Sequence, residues 1–277
     1  MAEAANAPMT TDDTLVCIDG IAAVRSAPDP LSGRVTDLLF GEEFIATSAH
    51  EGVVHGTTRA DGVEGFVPAE SLAARSGNAT HRVRRTFIHV YPAPDLVAAP
   101  VAILPMNALV DVTDRTTPLR YPGGGPGSTV VQLRSGGWIT DRGISPVDCF
   151  ATDLRAVAAM FVGAVWMPGG KTWLGCDGAG LVQTVLAACG MNVPRRLGEQ
   201  RRFFEDHGAS KVDRRSIGAA GAVVYSDAAC GFLFGDEIIA ARPETMLVES
   251  VSVDEFVRTC AGSVQMFPLG EGAIRTR

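Results

Sequence analysis

The amino-acid sequence predicts an α+β chain: two small β-barrels in tandem, then a domain of helices packed on an antiparallel sheet. Three observations predict it. Across residues 15–147 short apolar runs alternate with turn residues, as in all-β structure. That stretch carries a weak internal repeat of about sixty-five residues, the size of one small barrel. From Thr152 the apolar positions take helical spacing, and strand-like runs return at Ala222.

Residues 1–13 read as a small, polar tail. It has no basic stretch followed by an apolar run, so no secretory signal is expected. The first unit spans 14–78, with strands expected at Leu15–Ile18, Ala22–Arg25, Phe44–Thr47, Val53–Thr57 and Gly65–Val67. The second spans 79–147 and echoes it. Val24-Arg-Ser-Ala-Pro-Asp29 returns as Val90-Tyr-Pro-Ala-Pro-Asp95, and an apolar strand follows each, Leu38–Phe40 and Val101–Leu104. Each unit closes on a glycine–aromatic–apolar step, Gly65-Phe-Val67 and Gly137-Trp-Ile139. The loop Tyr121-Pro-Gly-Gly-Gly-Pro-Gly-Ser128 cannot be regular structure and is expected to be a flexible hairpin tip.

The third unit spans 148–277. Leu154, Val157, Ala158 and Phe161 fall on one helical face, with Asp153 in the first turn and Gly163 as the stop. A second helix is expected over Gly180–Ala188, ended by Gly190 just past its C-terminus. The charged run Arg201–Arg215 reads as a solvated face. Strands are expected at Ala222–Tyr225, Gly231–Phe234, Glu237–Ala241 and Met246–Ser250.

Composition excludes several function classes. Of 277 residues, 46% are hydrophobic and 20% charged, a globular balance. A net charge of −7 and a pI near 5.3 argue against a nucleic-acid or anionic-membrane surface. No apolar segment approaches a membrane span; Leu154–Met167 is short and interrupted by Arg155 and Gly163. A cytoplasmic location is expected. The six cysteines are scattered with no CxxC pair, which predicts reduced, mostly buried thiols and no metal site. No cofactor is expected either: Gly123–Gly125 lacks the helix and Lys of a phosphate loop.

Residues 150 to about 257 resemble the NlpC family of cell-wall peptide hydrolases. The likeness is carried by Phe161-Val-Gly163, Gly169-Gly170, Asp177, Gly180-Leu-Val-Gln183, Ala187-Ala-Cys-Gly190, Pro194-Arg195, Gln200 and Gly221–Tyr225. In front of it, the Ala-Pro-Asp turns, the Gly41-Glu42-Glu43-Phe44 step and the Gly-aromatic-apolar closes resemble tandem bacterial SH3-like domains. The resemblance implies a papain-like fold. It also implies an architecture that trims murein peptides with a free N-terminal L-alanine, between D-glutamate and the diamino acid. Such sites place Cys at the first turn of a buried helix, where the helix dipole and a nearby His stabilise the thiolate.

The chemistry is absent where the resemblance would put it. Family members read Asp-Cys-Ser-Gly-Leu-Val-Gln; this chain reads Asp177-Gly178-Ala179-Gly180-Leu181-Val182-Gln183. The nucleophile position is therefore Gly178, which has no side chain. The base position maps to Ala229 and the orienting position to Ala240. The five histidines are His50, His55, His81, His89 and His207, so none lies in the sheet that should supply the base. Cys176 and Cys230 lie near the emptied positions. They read either as relocated nucleophiles or as buried thiols, and the missing base favours the second.

Recognition positions have changed as well. The serine that helps hold the peptide amine is Leu197, and the pocket aromatic of the first unit maps to Val63. Asp177 remains, either as the carboxylate that pairs with the substrate amine or as an ordinary N-cap. Glu42 faces the same pocket or is a solvated strand-end residue. Trp166 and Trp173 flank Gly169-Gly170 as core or pocket wall. Three functions stay open. The leading one is a pseudoenzyme kept for binding or assembly, with a protein partner, a second copy of the chain or a murein-type peptide as ligand. The others are an active cysteine peptidase of cell-wall peptides and a purely structural subunit.

Overall fold

A computed structural model describes residues 13–117, 119–120, 129–206, 221–260 and 263–269. The tail before Asp13, the Tyr121–Ser128 tip with Gly123–Gly125, and residues 207–215 of the charged run, including His207, lie outside the described residues.

Seven strands come first: β1 (Asp13–Cys17), β2 (Ile21–Arg25), β3 (Arg34–Leu39), β4 (Glu43–His50), β5 (Val53–Thr58), β6 (Glu64–Pro68) and β7 (Leu72–Ala74). They form one sheet in the order β3-β2-β6-β5-β4-β1-β7. Alternation turns Val24, Leu38, Phe44, Val54 and Val67 onto one shared core. Eight more strands follow: β8 (His81–Val83), β9 (Phe87–Val90), β10 (Ala102–Pro105), β11 (Leu109–Val110), β12 (Val112–Thr116), β13 (Val130–Leu133), β14 (Trp138–Thr140) and β15 (Ile144–Pro146). These divide into three small antiparallel sheets around a second core of Val83, Ile88, Val90, Leu104, Val131 and Ile139.

The sequence repeat corresponds to one turn device used twice. Asp29 Oδ1 accepts from the Leu31 N–H at 2.8 Å, and Asp95 Oδ1 accepts from the Val97 N–H at 3.0 Å. An Asp side chain closing on the amide two residues ahead is the local competitor to regular structure that makes Asp a turn residue.

The third unit contains α1 (Leu154–Ala159), β16 (Lys171–Thr172), β17 (Gly175–Cys176), α2 (Gly178–Ala188), α3 (Leu197–Asp206), β18 (Ala222–Tyr225), β19 (Cys230–Phe234), β20 (Glu237–Arg242), β21 (Leu247–Ser252), α4 (Val253–Thr259) and β22 (Gln265–Pro268). The antiparallel sheet runs β21-β20-β19-β18-β22. One face shares a core with α1, α2 and α3 through Leu154, Phe161, Leu181, Val185, Phe204, Tyr225 and Phe232. The other face packs Val224, Leu233, Ile238 and Ala240 against Phe256 of α4.

Local signals explain the helix ends. Asp153 caps α1, accepting from the Ala156 N–H at 2.9 Å. Gly190 takes φ +90° beyond α2; its N–H reaches the Ala187 carbonyl at 3.1 Å, and that of Met191 reaches Leu186 at 2.9 Å. Among the longer elements of the third unit, three were not expected. The Arg201–Arg215 run is not simply a solvated face: its described part, residues 201–206, belongs to α3, because Gln200 and Phe204, four residues apart, bury one stripe while Arg202 and Glu205 stay exposed. α4 follows Ser252, whose hydroxyl accepts from the Glu255 N–H at 3.2 Å, a Ser-x-x-Glu start signal present in the sequence. β22 pairs with β18 from far along the chain and had no local signal.

Candidate functional site

The helix entry at Asp177-Gly178 is held on several sides. Residues 163–166 pair with β21, through Gly163 N–H to Val248 O at 2.9 Å and Trp166 N–H to Met246 O at 2.8 Å. β17 then pairs with that segment, Cys176 N–H to Val165 O at 3.0 Å. The helix entry is thus tied to the sheet through backbone bonds.

Asp177 is the N-cap of α2. Its Oδ1 accepts from the Gly180 N–H at 2.7 Å and its Oδ2 from the Gly169 N–H at 2.9 Å. Arg195 adds a two-pronged pair, Nη1 to Oδ1 at 3.0 Å and Nη2 to Oδ2 at 2.8 Å. Two oxygens with about four acceptor sites in all are filled by four protein donors. These four contacts account for Asp177 as a helix cap and ion-pair partner of Arg195. Arg195 is itself 3% exposed and also bonds Thr36 Oγ1 at 3.1 Å and the Gly170 carbonyl at 3.1 Å.

The pocket side of the entry is closed by the first β unit. Asp37 on β3 accepts from the Lys171 N–H at 2.9 Å and from Arg34 at 2.5 Å. Burial raises the Asp37 carboxyl above its usual range, against the pull of Arg34. Glu42 is no solvated strand-end residue: both its carboxylate oxygens receive Lys171 Nζ at 3.0 Å, and it also accepts from the Leu39 N–H at 2.8 Å. Gln183 donates to Asp61 at 2.8 Å. Gly169 has φ +74° and lies so close to the first unit that a Cβ would stand 2.4 Å from the Arg34 carbonyl oxygen. Val63 is buried at the Thr58–Val63 turn, where its N–H bonds Thr58 Oγ1 at 2.9 Å.

Gly178 is half-buried. A Cβ placed on it would lie 3.1 Å from Cys230 Sγ and 3.3 Å from the Cys230 carbonyl oxygen. The Cys230 thiol therefore stands against the space that a side chain at 178 would enter. Cys230 is fully buried, and burial, reinforced by the charge of Asp177, pushes its thiol far above the ordinary range. Cys176 is equally buried and is pushed up to about 12, again by burial first and Asp177 second. Both thiols stay protonated at neutral pH.

The sheet corrects the expected base and orienting positions. Ala229 and Ala240 belong to the apolar cluster on the α4 face, away from Gly178. The residue of β19 that faces α2 is Cys230, and on β20 the α2-facing residues are Ile239 and Ala241. Strand alternation is the reason: a register one residue off turns every side chain to the other face. Among the described residues, His50, His55, His81 and His89 all lie in the two β units.

Trp166 and Leu197 are half-buried against the C-terminal core. Trp173 touches the same core, and its ring also meets Phe87 of the second β unit at 5.8 Å between centroids. Sequence reasoning missed the Lys171–Glu42, Asp37–Lys171, Arg195–Thr36 and Gln183–Asp61 links, whose partners are more than a hundred residues apart. Among the described residues no group of His, Cys, Asp and Glu could hold a metal ion, and no helix is long and apolar enough to cross a membrane.

Residues 24–72 match the family described as the bacterial dipeptidyl-peptidase SH3 domain. Among solved structures the chain is similar to an NlpC/P60 family protein from Bacillus cereus, at 15% identity, covering 90% of this chain and 98% of that one with a TM-score of 0.72. It is also similar to an NlpC/P60 endopeptidase from Photobacterium damselae subsp. piscicida, at 12% identity, covering 96% and 68% with a TM-score of 0.53. No curated protein matches it in sequence. The chain carries an SH3-like domain and the mixed α/β fold of NlpC/P60 proteins.

Proposed function

We propose that this chain is a catalytically silent counterpart of the murein-peptide cysteine peptidases, retained for binding or assembly. On this reading two SH3-like barrels precede a papain-like domain whose catalytic positions are vestigial. The carrying observation is the pair Gly178 and Cys230: the helix entry has a glycine with no side chain, and a buried thiol with no histidine beside it among the described residues stands against that space. Loss of either a nucleophile or its base alone removes most of the rate of such an enzyme, and both are missing. The ligand is a protein partner, a second copy of the chain or a murein-type peptide, met in the cytoplasm.

Activity on L-Ala–D-Glu–diamino acid peptides tests the proposal. No product above the protein-free rate is expected from the full chain, or from Cys176→Ser and Cys230→Ser. Turnover that disappears in either variant would overturn the reading and identify the relocated nucleophile.

A further inference from the structure

A cleft of about 1040 Å³ opens between the two β units and reaches α2 at Ala187, in that helix's last turns. Gly178 begins the same helix nine residues earlier (187 − 178), roughly 14 Å away at the helical rise. The cleft is thus centred away from Gly178, sharing only Glu42 with the Lys171 junction, and its capacity to hold a ligand does not depend on a nucleophile at position 178.

Its floor is apolar, with Cys17 from the first core, Leu104 and Leu133 from the second, and Phe40 between them. β7 lines it. This is the terminal strand of the seven-stranded sheet, paired with β1 on one side only. Its lining residues Ala73 and Ala74 carry only methyl groups toward any approaching chain. An edge strand presents unpaired N–H and C=O groups, which an extended peptide can pair with while its alternate side chains enter an apolar trough.

The charge of the cleft opposes that of the chain. Four arginines and three carboxylates line it (4 − 3 = +1), on a protein of net charge −7. Two of the carboxylates are committed, Asp111 to Arg134 and Glu42 to Lys171. Glu43 is shared by Arg59 and Arg75, which directly follows β7. Arg82 bonds the Val147 and Ala187 carbonyls, at 2.9 and 3.2 Å. Positive charge is thus in surplus beside the open strand edge.

We propose that the cleft binds an extended acidic peptide as an added strand on β7, its apolar side chains on the floor and its carboxylates against Arg59 and Arg75. The test is fluorescence anisotropy of the full chain with a fluorescein-labelled hexapeptide (Val-Glu)₃. Saturable binding is expected. It should weaken by about tenfold or more with (Val-Gln)₃, with proline at the third residue, and with the Arg59→Gln/Arg75→Gln pair. Ala74→Trp, at an exposed position that leaves the fold intact, should block it. Absence of saturable binding at millimolar peptide, equal binding of (Val-Gln)₃, or insensitivity to Ala74→Trp would each overturn the proposal. So would binding of decanoate in the cleft without binding of the peptide.

Discussion

The two ends of α2 meet very different surroundings. At its N-terminal end the charged groups are paired: Asp177 with Gly169, Gly180 and Arg195, and Lys171 with Glu42. At its C-terminal end the helix faces an open cleft with an apolar floor and surplus arginines. The first end is a polar joint between a β unit and the helical domain. Polar residues at the first end therefore act in stability, while at the second Arg59 and Arg75 share a single carboxylate.

Arg195→Ala should break the joint hardest. It leaves the Asp177 carboxylate facing the junction without its cation, which costs about 3 kcal/mol in urea-unfolding stability. A loss below about 0.5 kcal/mol would mean that the joint is solvated and still able to take a ligand.

The buried thiols make the same end sensitive to alkali. Cys176 binds its proton more tightly folded than unfolded, so the stability it contributes is complete below its ordinary value of 9.0 and is lost as pH rises toward about 12. Denaturation midpoints should fall across that window by an amount worth a few kcal/mol, and Cys176→Ala should flatten the fall. Iodoacetamide should leave Cys176 and Cys230 unmodified in the native protein at neutral pH, as mass spectrometry would read.

Gly169→Ala tests the close approach. A side chain there meets the Arg34 carbonyl and a positive φ together, so about 2 kcal/mol should be lost. Gly178→Cys is milder. The 3.1 Å contact with Cys230 Sγ is tight, but a thiol can rotate, so stability should change by about 1 kcal/mol or less. No peptidase activity should appear, because Cys230 stands beside it in place of a base. At the other end Ala74→Trp should move stability by no more than about 0.5 kcal/mol, even though it places a bulky ring at the cleft wall.

Much of the fold was legible because its signals are local. The Ala-Pro-Asp turns, the Asp153 and Asp177 caps and the Gly190 stop each act within four residues. α3 is masked in the sequence because its charged residues outnumber the two that bury it, Gln200 and Phe204. The α4 start signal at Ser252 stands in the sequence, but the helix behind it is short and mostly polar. For the candidate site, the Asp177-Gly178 helix entry was readable, whereas the face taken by Ala229 and Ala240 was not.

What the sequence by itself determined is which side chains are available: a glycine at 178 and no histidine after 207 follow from residue identity alone. The tertiary structure decided what stands around the helix entry. Whether Cys230 or Ala229 faces Gly178 depends on strand register, and the pairing of Glu42 with Lys171 spans 129 positions. Neither leaves a trace in spacing, because side-chain partners that far apart meet only once sheet and helix have packed.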